Sequence, residues 1–181
     1  YEIVSRDWSS DVCSSDLIEV TTERATRTVE AMERAGKRLA IMLQNRFREG
    51  SRRLAVAMKA GELGPLLSGS TSVRWWRSPE YFAQPGRGMK ARDGGGVLIT
   101  QAIHTLDLFL SLTGKVDRVC AMSATSPLRR IDTEDVVAAA IRFANGAVDT
   151  IDTTTVAYPG FPERIELACE KGTAVLRSEE H

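Results

Sequence analysis

Two hydrophobic periods run along this chain, and the switch between them divides it. Residues 21–35, TTERATRTVEAMERA, carry many charges and few large apolar groups. They predict a surface helix with Thr21 or Thr22 as N-cap and Gly36 as stop. The short apolar run at 37–43 predicts a buried strand leading into Gln44-Asn45-Arg46-Phe47. A helix followed by a strand is the tail of a βαβ pattern. Residues 50–61 predict a second helix with Leu54, Val56, Ala57 and Met58 on its apolar side. Residues 66–76 then alternate in part, 77–93 predict a loop, and 97–112 predict one helix that is apolar nearly all round. Strand-like runs come next at 116–125, 134–143, 147–157, 163–169 and 173–176, with hairpin signals at Asn145-Gly146 and Glu170-Lys171-Gly172. The predicted fold class is α+β. It is a mostly antiparallel open sheet with helices packed on one face, preceded by the remnant of a parallel α/β domain.

The apolar helix keeps one polar stripe, Thr100, His104, Asp107 and Ser111, at steps of four, three and four. The only other histidine is His181, at the end of the chain. An imidazole there suits proton exchange near neutrality, with an ordinary pKa of about 6.5. The alternative is a structural histidine satisfied within the core. Asp107 either holds the ring in one tautomer or caps nearby backbone. Gly94-Gly95-Gly96 before the helix reads as a tight turn with close backbone packing, in preference to a phosphate-binding loop.

Arg74, Arg77, Arg87, Lys90 and Arg92 interleave with Trp75, Trp76, Tyr81 and Phe82. That composition fits a solvated loop over aromatic core residues, a pocket for a sugar or an acid, or a single-strand nucleic-acid surface. Asn45 and Arg46 come directly after the predicted strand, where α/β folds bind ligands, although a surface turn reads the same way.

Composition narrows these options. The 181 residues carry 24 basic and 24 acidic side chains. Both ends read as foreign. Arg-Ser-Glu-Glu-His, written as AGA TCG GAA GAG CAC, has a reverse complement that encodes Cys-Ser-Ser-Asp one base out of frame, and Cys13 to Asp16 read just that. Residues 1–17 and 177–181 therefore resemble translated sequencing-adapter DNA, an expectation that the source DNA checks. Residues 18–176 hold 22 basic and 18 acidic side chains, a net charge of +4, too mild to indicate nucleic acid. No apolar run approaches a membrane span of roughly 20 residues. Cys120 and Cys169 sit in apolar runs and read as buried thiols of a cytoplasmic protein. No metal is expected.

The stretch GGGVLITQAIHTLDLFLSLTG resembles the signature of Gfo/Idh/MocA oxidoreductases, a glycine-rich turn leading to a helix with His and then Asp three residues on. LAIMLQNRF with the helix ending in AGELGPL is similar to that family's crossover between domains, and ELACEKGTAVL to its sheet. Ile18-Glu19-Val20 resembles the residues just after the family's Glu-Lys-Pro motif. The resemblance implies a Rossmann remnant at 18–46 and a substrate and catalytic domain at 47–176. It implies an NAD- or NADP-dependent dehydrogenase acting on a sugar-type alcohol or ketone, with His104 as general acid/base. Asn45, Arg46, Thr100, Arg87 and Lys90 fall at substrate positions, and Asp107, Gly94, Gly95 and Gly96 support them. Thr100 departs from the Asp or Asn often found there, which leaves a non-catalytic sugar and dinucleotide sensor as the alternative. The cofactor's glycine fingerprint and the Glu-Lys-Pro lysine are absent from this chain. The expectation is therefore a fragment, inactive alone, whose cofactor is bound mainly by a missing N-terminal domain. A homo-oligomer through the open sheet face is also implied.

Overall fold

The computed structural model describes residues 17–178, so most of both expected foreign ends lies outside it. The chain forms two compact units divided between Met42 and Leu43. In the first, α1 (Thr22–Arg34) begins as expected, with the Thr21 hydroxyl accepting from the Arg24 amide at 3.3 Å. The predicted strand at 37–43 does not form, and most of these residues are exposed. A lone strand has no neighbour to take its backbone donors and acceptors, so an apolar sequence by itself does not make one.

The second unit opens with a single 3-10 turn (Gln44–Phe47) and α2 (Glu49–Lys59). It then builds one six-stranded sheet from β1 (Leu66–Arg74), β2 (Val116–Ala124), β3 (Val136–Phe143), β4 (Val148–Thr154), β5 (Arg164–Cys169) and β6 (Gly172–Arg177). The spatial order is β2-β3-β4-β1-β5-β6. Every neighbouring pair is antiparallel except β1 with β4, because β1 enters from a helical segment and not from a hairpin. Arg177, the first residue of the expected C-terminal tail, is the last of β6.

Alternation decides which face is covered. Ile165, Leu167 and Cys169 of β5 point inward with Ile141, Phe143 and Ile151. Leu54 of α2 and Leu108, Phe109 and Leu112 of a later helix close over them. Phe109 meets Phe143 edge-on, ring centroids 6.0 Å apart. Burying each such side chain stabilises the fold by roughly 1.5–3 kcal/mol. Val56, expected on the apolar side of α2, is instead 66% exposed. β2 is an uncovered edge, and its Cys120 is exposed, which corrects the expectation of two buried thiols. Cys169 is buried, and desolvation raises its pKa and keeps it a thiol.

Four helical segments between β1 and β2 carry most of the polar residues of interest. The predicted loop at 77–93 contains two single helical turns, α3 (Pro79–Phe82) and α4 (Lys90–Asp93). The predicted single helix at 97–112 is broken into α5 (Val97–Thr100) and α6 (Ile103–Thr113). At the break Gln101 leaves helical geometry, and the Ala102 amide reaches back to the Val97 carbonyl at 2.8 Å. Thr100 therefore sits on α5, and the four-residue stripe is not one continuous helical face.

Candidate functional site

His104 lies in the first turn of α6 and is half-buried, with its Nδ1 sealed from solvent. The residues beside it are fastened to segments distant in sequence. Thr105 is buried, and its hydroxyl meets the Glu163 carboxylate. The buried Asn45 donates through Nδ2 to Thr105 Oγ1 and to Glu163 Oε2, each at 3.3 Å. Arg46 forks onto Asp107, with Nε and Nη2 each donating to one carboxylate oxygen, the latter at 2.5 Å. This hydrogen bond is the largest influence raising the Arg46 pKa above its ordinary value. The arginine side is half exposed, so the pair contributes about 0–1 kcal/mol of stability. Its consequence is geometric: the 3-10 turn is held against α6, one turn from the imidazole.

Just before His104 in the chain, the helix break carries a second network. Thr100 donates to the Gly96 carbonyl at 2.8 Å and also meets the Gln101 side-chain amide. The buried Gln101 donates to the Tyr81 hydroxyl at 3.4 Å, and Arg87 Nη1 donates to the same oxygen at 2.6 Å. Arg87 also stacks on the Tyr81 ring, 4.3 Å from its centroid. Arg77 lies 5.3 Å from that centroid and 4.7 Å from that of Trp75. Such contacts contribute about 0.5–2 kcal/mol each, more where water is excluded.

Beneath this layer Arg129 is buried. It pairs with Asp135 at 3.0 Å, donates to the Thr155 hydroxyl and carbonyl at 3.0 and 2.7 Å, and reaches the Arg77 carbonyl. Its guanidinium also faces Phe82 at 4.6 Å and Trp76 at 5.6 Å. Arg129 thereby ties the start of the basic loop to β4's end and to β3.

The structure thus joins Thr100 and Arg87 through Gln101 and Tyr81, and holds Asn45 and Arg46 on Thr105 and Asp107 of α6. Lys90 goes elsewhere. Its side chain lines a cavity of about 460 Å³ with Gly94, Gly95, Ile99, Asp132 and Glu134. Gly96 explains its own identity: a Cβ there would stand 1.8 Å from the Glu134 carbonyl oxygen. Its amide faces both carboxylate oxygens of Glu134 at 3.0 Å, and the Val97 amide takes the Glu134 carbonyl at 2.9 Å. An amide already answered by a carboxylate does not fit a dinucleotide pyrophosphate, and the described residues offer no other glycine loop at a helix start. They do not fit the cofactor that the family resemblance implies.

Glu163, Gln101 and Arg129 had no part in the sequence argument. Glu163 comes just after the turn-rich Tyr158-Pro159-Gly160-Phe161-Pro162 segment, a weak signal of a strand entering a site. Gln101 was legible only as a polar residue interrupting an apolar helix.

With this geometry in place, likeness to other proteins can be read. Residues 51–175 match the profile of the GFO/IDH/MocA C-terminal domain. The chain belongs to this family. It is 27% identical over 165 residues to an uncharacterized oxidoreductase, YrbE, of Bacillus subtilis (strain 168), covering 87% of this chain and 45% of that protein. The WlbA dehydrogenase of Bordetella pertussis, solved with NADH and UDP-GlcNAcA, superposes with a TM-score of 0.80 at 34% identity, over 89% of this chain and 49% of that one. A levoglucosan dehydrogenase solved with NADH and levoglucosan gives 0.73 at 26% identity, over 88% of this chain and 46% of that one. The chain spans about half the length of the relatives it matches. No helix among the described residues is long and apolar enough to cross a membrane.

Proposed function

We propose that this chain is the substrate-binding and catalytic part of an NAD(P)-dependent dehydrogenase that interconverts a sugar-type alcohol and its ketone. The observation that carries the reading is the position of His104. The imidazole is half-buried at the start of α6, flanked by the Arg46–Asp107 fork and by the Thr100–Gln101–Tyr81–Arg87 network. In that place it holds and moves the proton of the reacting hydroxyl. Asn45 and Glu163 fix Thr105, and so the first turn of α6, while Arg87 and Tyr81 face the substrate. Lys90 serves a more distant part of the substrate from its own cavity.

The family membership and the dehydrogenases it resembles support this chemistry. NAD or NADP is taken up by residues other than those described, so the 181-residue chain alone does not turn over. Residues 18–46 are a remnant of the dinucleotide-binding domain and 47–176 the substrate domain. The open sheet face, including exposed Met122 and Val175, pairs with another copy. The assembly works in the cytoplasm.

The test is His104→Ala in the full-length protein that contains this chain. We expect kcat for sugar oxidation to fall about 10²-fold or more with the melting temperature unchanged. Unchanged turnover rejects the role. One observation favours a second reading, a sugar and dinucleotide sensor without catalysis: the Thr100 hydroxyl is committed to the Gly96 carbonyl and supplies no charge near His104. Sugar binding without measurable turnover in the full-length protein would select it.

A further inference from the structure

The first turn of α6 carries the imidazole, yet its own sequence does little to hold that turn. Ala102 is the N-cap and makes no side-chain hydrogen bond. A helix start without a cap leaves amides unanswered and is prone to fray. The 3-10 turn supplies a hold from outside. Its consecutive residues Asn45 and Arg46 reach the buried Thr105 and the half-buried Asp107. Asp107 comes three residues after His104 on the same helix. That spacing puts the two side chains on one face, with Cβ atoms about 5–6 Å apart.

The Arg46 fork is matched to this carboxylate. Nε takes one oxygen and Nη2 the other. Two parallel donors fix direction as well as distance, which a single ammonium does not do. An ion pair with a half-exposed arginine adds little to stability, so the fold has little need of it. The edge of the guanidinium that would grip a ligand is spent on Asp107. What remains for the fork is to set where that carboxylate stands, one turn along from the imidazole.

We infer that Arg46 is a positioning residue for the proton carrier: acting through Asp107, it fixes the carboxylate beside His104 and the helical turn that bears the imidazole. The inference rests on the proposed role of His104 and adds a residue to it. Contact with the sugar is the rival role for Arg46, and it leaves a different kinetic pattern.

The first test needs no turnover. The two histidines of this chain give two imidazole Cε1–H signals by NMR, and His104→Ala identifies the one that matters. Arg46→Gln and Asp107→Asn should each displace the His104 signal, with backbone amide signals away from α6 unchanged. The double variant should displace it no further than the larger single change, because both cut the same link. If Arg46→Gln fails to fold by circular dichroism, Arg46→Lys carries the test, keeping the charge without the fork. A His104 signal unmoved in the folded Arg46 variant, or displacements that add, overturns the inference. The second test uses the full-length protein. Arg46→Gln should lower kcat about tenfold and leave the sugar KM within about twofold, since a misplaced catalytic group costs rate and not binding. A raised KM at unchanged kcat assigns Arg46 to the sugar and overturns the inference. If the unmodified full-length protein turns over no sugar, the role of His104 falls, while the imidazole signal still decides whether Arg46 positions the ring.

Discussion

Arg129 and Arg77 sit in the same aromatic neighbourhood, and one even bonds the backbone of the other. Their surroundings differ. Arg129 is sealed in and answered by a carboxylate, a hydroxyl and two carbonyls. Arg77 is half-buried, and among the described residues its guanidinium meets two rings. A charge needed by the fold is satisfied within the chain, because burying it otherwise costs several kcal/mol.

That contrast can be broken in three ways. The largest effect belongs to Arg129→Met, which strands the buried Asp135 carboxylate and should cost about 3–5 kcal/mol in urea unfolding. A loss below about 1 kcal/mol would show that Arg129 is no structural anchor. Asp149 offers a change of opposite sign. It is 0% exposed, and among the described residues no side chain pairs with its carboxylate, which faces the Gly69 backbone. Desolvation, the dominant cause, raises its pKa above 3.8. The folded state thus holds its proton more tightly than the unfolded chain does. The stability this gives is full below 3.8 and is lost as pH rises to the folded value. Asp149→Asn should then raise the melting temperature at pH 7 and flatten its dependence on pH above 3.8. A lower melting temperature at pH 7 would mean that the ionised form has a partner. The smallest effect is expected from Arg77→Met on stability, about 1 kcal/mol or less, since only the ring contacts go. A loss as large as that of Arg129→Met would erase the distinction between the two arginines.

The sheet was legible because its period is local. Ile165, Leu167 and Cys169 announce a covered face by spacing alone, and Asn145-Gly146 marks its hairpin, with Gly146 at a φ of 90° that other residues rarely adopt. The His104 helix was legible in position but not in continuity. Its break is set by backbone contacts, from Ala102 to Val97 and from Val97 to Glu134, and its residues are helix-compatible throughout. Apolarity at 37–43 predicted a strand that needs a neighbour to exist. Arg129 was invisible because, Asp135 apart, its partners lie 26 and 52 positions away, and nothing local distinguishes it from a surface arginine.

Glu134 grips the head of α5 with both its carboxylate and its carbonyl, just before the chain enters β3. A rigid strand is thereby bolted to the short rod that leads into the imidazole's own helix. A tug on that strand, from whatever packs along it, would be felt as a small change in where the imidazole points. The alignment of the proton carrier is thus written partly into the scaffold behind it.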